Sequence, residues 1–190
     1  MKLFQVSPRW VLKLFLISIW PQHTWTIYMV FRDLGWVAQR TTAGDAFGLL
    51  SYALIFAFGE GAILFILILL IDLTLLRKWP PDKRLSILTI ALFDLSLWAI
   101  IPQLFSLADI HLPNDLESLI IASGHPLWVL YGFSLGSTAL SIGLPIYWIF
   151  KRPETVGWIN LFVDRLVVLS SLYLFLDMIG IINVIIRNLN

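Results

Sequence analysis

The sequence predicts an all-α protein, a polytopic transmembrane helix bundle of about five spans that forms one helical domain over residues 1–190. Three observations carry this. Only 13% of the residues are charged while 59% are hydrophobic, whereas a water-soluble domain averages about 25% charged residues. Mean hydropathy is +0.87. The apolar residues are also gathered into runs comparable with the ~20 helical residues that cross a hydrocarbon core of about 30 Å. Disorder, a coiled coil and a disulfide scaffold are excluded by this composition. A net charge of +1 gives no field that would attract nucleic acid. The chain has no cysteine, which removes thiol catalysis, cysteine-ligated metals and disulfides.

Five stretches are long enough to span. The first, 10–31, is the weakest, because Pro21, Gln22, His23 and Thr24 interrupt it; it reads as a kinked span or as a short helix followed by an interfacial segment. Lys2, Arg9 and Lys13 precede or interrupt its apolar run, but no small-residue cleavage site follows, so an uncleaved helix fits better than a signal peptide. The second, 47–76, is the strongest and is over-long, which implies tilt or extension beyond the bilayer. The third, 85–107, carries Pro102 near its end, and the fourth, 127–150, is bracketed by His125-Pro126 and Pro145. The fifth runs over 158–186. The connectors are short and leave no room for a soluble domain, and neither half repeats the other.

Lys and Arg set the expected orientation. Lys2, Arg9 and Lys13, then Arg77, Lys78, Lys83 and Arg84, then Lys151 and Arg152 fall on one side, nine in all, against Arg32, Arg40 and Arg187 on the other. The positive-inside rule places the N-terminus in the cytoplasm and the C-terminus outside, in a plasma or inner membrane. Trp10, Trp36, Trp79, Trp128, Trp148 and Trp158 fall near span ends, where amphipathic rings anchor at headgroup depth.

An ionisable side chain at the bilayer centre costs at least a few kcal/mol, so each needs a partner, water or a purpose. Six are candidates for charge or proton sites: Glu60, Asp72, Asp94, Asp164, Arg165 and Asp177, five acids against one base. Asp72, Asp94, Asp164 and Arg165 share the inner half, with Arg165 as a fixed counter-charge or in an interhelical pair with Asp94. Glu60, sixteen residues from Leu76 and between Gly59 and Gly61, is expected to face the bundle interior. Its expected partners are His23 and, near the outer ends, Arg32 or Asp177.

Other patterns carry less chemistry. His23, His111 and His125 lie toward the outer side near Asp109, Asp115 and Glu117, but without the tight spacing of a metal site, so neither a metal nor a haem is expected. Gly132-Phe133-Ser134-Leu135-Gly136 matches the text of a nucleophile elbow. That motif needs a strained strand-to-helix turn, and here it falls inside an apolar helix with no base His within reach. The same glycines read better as a packing stripe, Gly132, Gly136, Ala139 and Gly143, matched by a shorter one, Ala53, Ala57 and Gly61. The second and fourth spans are expected to pack through these stripes, or one of them to receive another subunit.

The resulting expectation is a multi-pass membrane protein that acts as a non-catalytic subunit or scaffold, without cofactor. Its partners would be the lipid bilayer and either a membrane protein or a second copy. The alternative is a proton- or cation-coupled carrier of a small solute that uses the intramembrane carboxylates.

Overall fold

The computed structural model describes residues 7–189, and among them every regular element is helical. The order is α1 (Pro8–Ala38), α2 (Ala43–Ile71) with a π-helical turn at its end (Asp72–Leu76), α3 (Pro81–Leu107), α4 (Asn114–Ala122), α5 (Pro126–Lys151) and α6 (Glu154–Leu189). Four helical segments are long and apolar enough to cross a membrane: Ala43–Leu76, Pro81–Leu107, Pro126–Lys151 and Glu154–Leu189. Lys2, counted above for orientation, lies outside the described residues.

The helix ends follow from local chemistry. Ser7 caps α1 by accepting from the Trp10 amide at 3.2 Å, and Pro8 follows it, where a missing N–H costs nothing. Thr42 caps α2 in the same way through the Asp45 amide at 3.2 Å, and its hydroxyl donates to the Asp45 carboxylate at 2.8 Å. Pro21 does not break α1, which runs 31 residues without interruption. The first stretch is therefore one long helix, and the short helix followed by an interfacial segment is not formed. α4 was not expected. It begins just after Pro113 with Asp115 and Glu117 in its first turn, the signs its dipole favours, and Gly124 at φ +73° follows its end.

The chain forms two compact units. Unit one comprises residues 7–89 and 156–189 and holds α1, α2, the start of α3 and most of α6. Here α1 buries Trp10, Leu14, Ile17, Ser18 and Pro21, a stripe at helical spacing. Phe15 meets Phe58 and Phe65 of α2 edge to face, with centroids 6.1 and 5.4 Å apart. Gly61 lets the two backbones close: a Cβ there would lie 2.9 Å from the Ile19 Cα. α6 turns Val163, Leu166, Ser170, Asp177 and Gly180 inward, and a Cβ on Gly180 would lie 3.3 Å from the Ser51 carbonyl oxygen.

Unit two, residues 90–155, holds the rest of α3, α4 and α5. The side chains of α5 are largely exposed, with Leu127, Tyr131, Leu135 and Leu140 each at least 65% accessible.

The small-residue stripe of α2 is thus occupied by α1. Ala57 is buried and Gly61 sits on Ile19. The expected use of that stripe by the fourth span is corrected accordingly: α1 precedes α2, is joined to it by a short turn, and fills the groove itself. On α5, a Cβ at Gly132, Gly136 or Gly143 would meet nothing within 4 Å, and Ala139 is exposed.

Gly61→Leu should therefore push α1 from α2 and cost about 1–3 kcal/mol. Gly59→Leu, two residues away with open space at its Cβ, should leave stability unchanged. Thermal midpoints of the purified chain in mild detergent compare the two.

Candidate functional site

Pro21 and the residues after it bring His23 to the inside face of α1, where its side chain is 0% accessible. One ring nitrogen, Nδ1, lies 2.8 Å from the carbonyl oxygen of Ile19, one helical turn back. The other, Nε2, lies 2.9 and 3.0 Å from the two carboxylate oxygens of Asp177 on α6. Asp177 is 3% accessible. The phenol ring of Tyr173, one turn earlier on α6, stacks on the imidazole at a centroid distance of 5.3 Å and 10° between planes. Its hydroxyl is 3.1 Å from the Thr24 hydroxyl. These contacts join α1 to α6 in the middle of both helices.

The geometry fixes the proton inventory of the pair. A carbonyl only accepts, so Nδ1 carries a hydrogen. Nε2 faces a carboxylate, so a second proton must lie between them; without it two acceptors would confront each other at 2.9 Å. The pair is either imidazolium with carboxylate or imidazole with carboxylic acid. Both forms are neutral overall, which is what a buried position tolerates.

A second buried pair lies toward the other end of α2. The π-helical turn places Asp72 inside, at 0% accessibility, against Arg84 of α3. The Arg84 Nε donates to Asp72 at 2.6 Å, and a second guanidinium nitrogen donates to the other carboxylate oxygen. The guanidinium also lies 5.0 Å from the ring centroid of Trp10, whose indole N–H donates to the Pro81 carbonyl at 3.1 Å. Trp10 is therefore a packed core residue and not a membrane-surface anchor, because Arg84 and Pro81 both need its ring. Trp36, Trp128, Trp148 and Trp158 are exposed, and Trp79 lies beneath Lys83 at 5.6 Å.

The remaining candidates divide. Asp164 pairs with Lys13 of α1 at a half-exposed position. Asp94, in unit two, accepts from the Ser141 hydroxyl at 2.8 Å, and the Trp98 indole donates to the same hydroxyl at 2.9 Å. Arg165 is exposed and forms no ion pair among the described residues. Arg165 belongs to unit one and Asp94 to unit two. Glu60 is exposed as well and does not meet His23. The interior face of α2 is the one bearing Leu54, Ala57 and Gly61, and Glu60 sits off that face, while Asp177 takes the imidazole. Arg32 pairs with its neighbour Asp33 at 2.9 Å.

The other motifs assemble no reaction centre. His111 lies 3.3 Å from Asp109 with both side chains more than four-fifths exposed, and among the described residues no three His, Asp or Glu side chains gather as metal ligands. Ser134 sits within α5, an uninterrupted helix, so the text of the nucleophile motif has none of its geometry. Lys13, Arg84, Tyr173, Thr24 and Ser141 are the partners that sequence reasoning passed over. Only Arg84 had a local signal, since the Pro80-Pro81 turn folds α3 back toward Asp72. Comparison with family models, with curated proteins and with solved structures matched none of them to this chain.

Asp177→Leu should strand a buried imidazole and cost about 3–5 kcal/mol, as removing one partner of a buried pair does. The double substitution His23→Leu/Asp177→Leu should recover most of that loss. Equilibrium unfolding in detergent or bicelles measures both.

Proposed function

We propose that the chain is a non-catalytic subunit or scaffold of a plasma or inner membrane, crossing the bilayer five times with its N-terminus in the cytoplasm and its C-terminus outside. One observation carries this reading: three of the five intramembrane acids find a basic partner within the chain itself. Asp72 faces Arg84, Asp164 faces Lys13 and Asp177 faces His23. Each pair joins residues from different helices, so the charge serves assembly. A carrier that binds a cation between helices would instead hold carboxylates open toward a cavity. The acidic excess that favours a carrier is reduced by these partners to Glu60, Asp94 and the exposed remainder.

The count of five spans depends on α1. Its mean polarity is higher than that of the other long helices, but its contacts follow α6 from Lys13–Asp164 to His23–Asp177. A helix bound to α6 over that length crosses where α6 crosses. The open glycines of α5 supply a surface on which another membrane helix would pack closely.

Reporter fusions after Lys83 and after Asp115 should report opposite sides of the membrane; the same side would overturn the span count. For the function, the purified full chain in liposomes should take up no small solute under a pH gradient, and in mild detergent it should leave its native membrane in stoichiometric complex with another polypeptide. Gradient-driven solute uptake by the chain alone, abolished by Glu60→Gln, would overturn the scaffold reading in favour of the carrier.

A further inference from the structure

We infer that the His23–Asp177 pair is a proton-binding site, loaded from the end of unit one where α1 begins and closed toward the other end. The role goes beyond pinning two helices and is compatible with it, since the same contacts do both.

The first support is the shared proton. Nδ1–H is held by the Ile19 carbonyl, so the ring cannot turn, and all proton exchange must pass through Nε2 and the Asp177 carboxyl. Uptake of one proton converts the neutral pair to imidazolium with carboxylic acid, net charge +1, and release of one proton restores it. No electron or other group moves.

The second support is a polar path on one side of the pair. Along α6 toward Asp164 the inward face carries Tyr173 and then Ser170, four and seven residues from Asp177, or about 6 and 10 Å along the axis. The Tyr173 and Thr24 hydroxyls already share a hydrogen bond in which either is the donor. Among the described residues Ser170 Oγ, fully buried, has no protein partner, and Gln22 Oε1, beside His23, is likewise buried and unpartnered. A buried hydroxyl or amide left unsatisfied costs about 1–3 kcal/mol, and water is the usual remedy. Pro21 adds to this demand, because it offers no N–H to the Ile17 carbonyl. Hydroxyls and water of this kind pass a proton by exchange along hydrogen bonds. The path ends at Lys13–Asp164, where the side chains are 36% and 52% accessible.

The opposite direction differs. Between Asp177 and Asn183 the inward residue is Gly180, which carries no polar side chain and sits where an added Cβ would lie 3.3 Å from the Ser51 carbonyl oxygen. Asn183 then donates to the Ser51 hydroxyl at 2.8 Å, which itself donates to the Phe47 carbonyl. An amide does not relay protons, and the Asn183 amide and Ser51 hydroxyl are both already donating to protein acceptors.

No other charge competes at the pair. α1 contributes only His23 at this level and α6 only Tyr173 and Asp177, while α2 presents Ser51 and turns Glu60 outward. Lys13–Asp164 and Arg187–Asp45 lie at the two ends, each already paired.

The chain has three histidines, so the full-length protein labelled with 15N-histidine in proteoliposomes gives a resolvable spectrum, assigned with His111→Gln and His125→Gln. Across pH 4–9 the ring nitrogens of His23 should shift with pH, and Asp177→Asn should abolish the shared-proton signature. Ser170→Ala should slow solvent exchange of the Nε2 proton about tenfold or more, with no loss of thermal stability, and Asn183→Ala should leave it unchanged. A His23 signal that stays flat while His111 and His125 titrate would overturn the proposal and leave a structural pin. Slowed exchange in Asn183→Ala but not in Ser170→Ala would overturn the side of access. Neither result bears on solute uptake, so the scaffold reading stands or falls separately.

Discussion

Hydrocarbon offers no hydrogen-bond partners; in unit one buried hydroxyls turn to carbonyls of their own helix, while the buried ionisable groups meet partners on neighbouring helices. A carboxylate inside a long apolar helix is tolerable only when a donor meets it there. Asp177 meets His23 and Asp72 meets Arg84, and the two encounters fix which faces of α1, α3 and α6 turn inward. Once those faces are set, the aromatic contacts of Phe15, the close approach at Gly61 and the stacking of Tyr173 on His23 follow as packing around them.

Irregular backbone appears where the pairs need it. The π-helical turn at Asp72–Leu76 adds a residue to the last turn of the long second span, and the buried Asp72 is in that turn. Pro21 stays within a continuous helix, and the polar stretch that follows it faces α6, with His23 bonding the Ile19 carbonyl and Thr24 bonding Tyr173. Pro21 and the π-helical turn therefore both lie at buried polar pairs. The same logic accounts for Trp10, whose ring covers the Arg84 guanidinium and whose N–H closes on Pro81.

Much of this was legible in the residues. Long apolar runs and the scarcity of charge identified the helices, and the spans over 85–107, 127–150 and 47–76 match α3, α5 and α2 with its π-helical turn to within a few residues. The polar residues worth attention were also visible, since an acid in an apolar run stands out. Their partners were not. Glu60 looked more deeply placed than Asp177 by sequence depth, yet depth along a helix does not give azimuth, and Glu60 lies off the face that receives α1. Lys13 and Arg84 looked like membrane-edge charges, and only folding revealed that they pair with Asp164 and Asp72. α4 escaped notice because a nine-residue helix in a polar connector has too few turns to show periodicity.

The sequence by itself determined the class of protein and the inventory of costly residues, because hydropathy and composition are sums over residues and need no geometry. Tertiary structure alone decided which acid met which base, that α1 filled the small-residue groove of α2, and that His23 of α1 came to face Asp177 of α6. Those outcomes depend on how helices rotate about their axes. That rotation is set by pairing energies between residues as many as 154 positions apart, which no local pattern records.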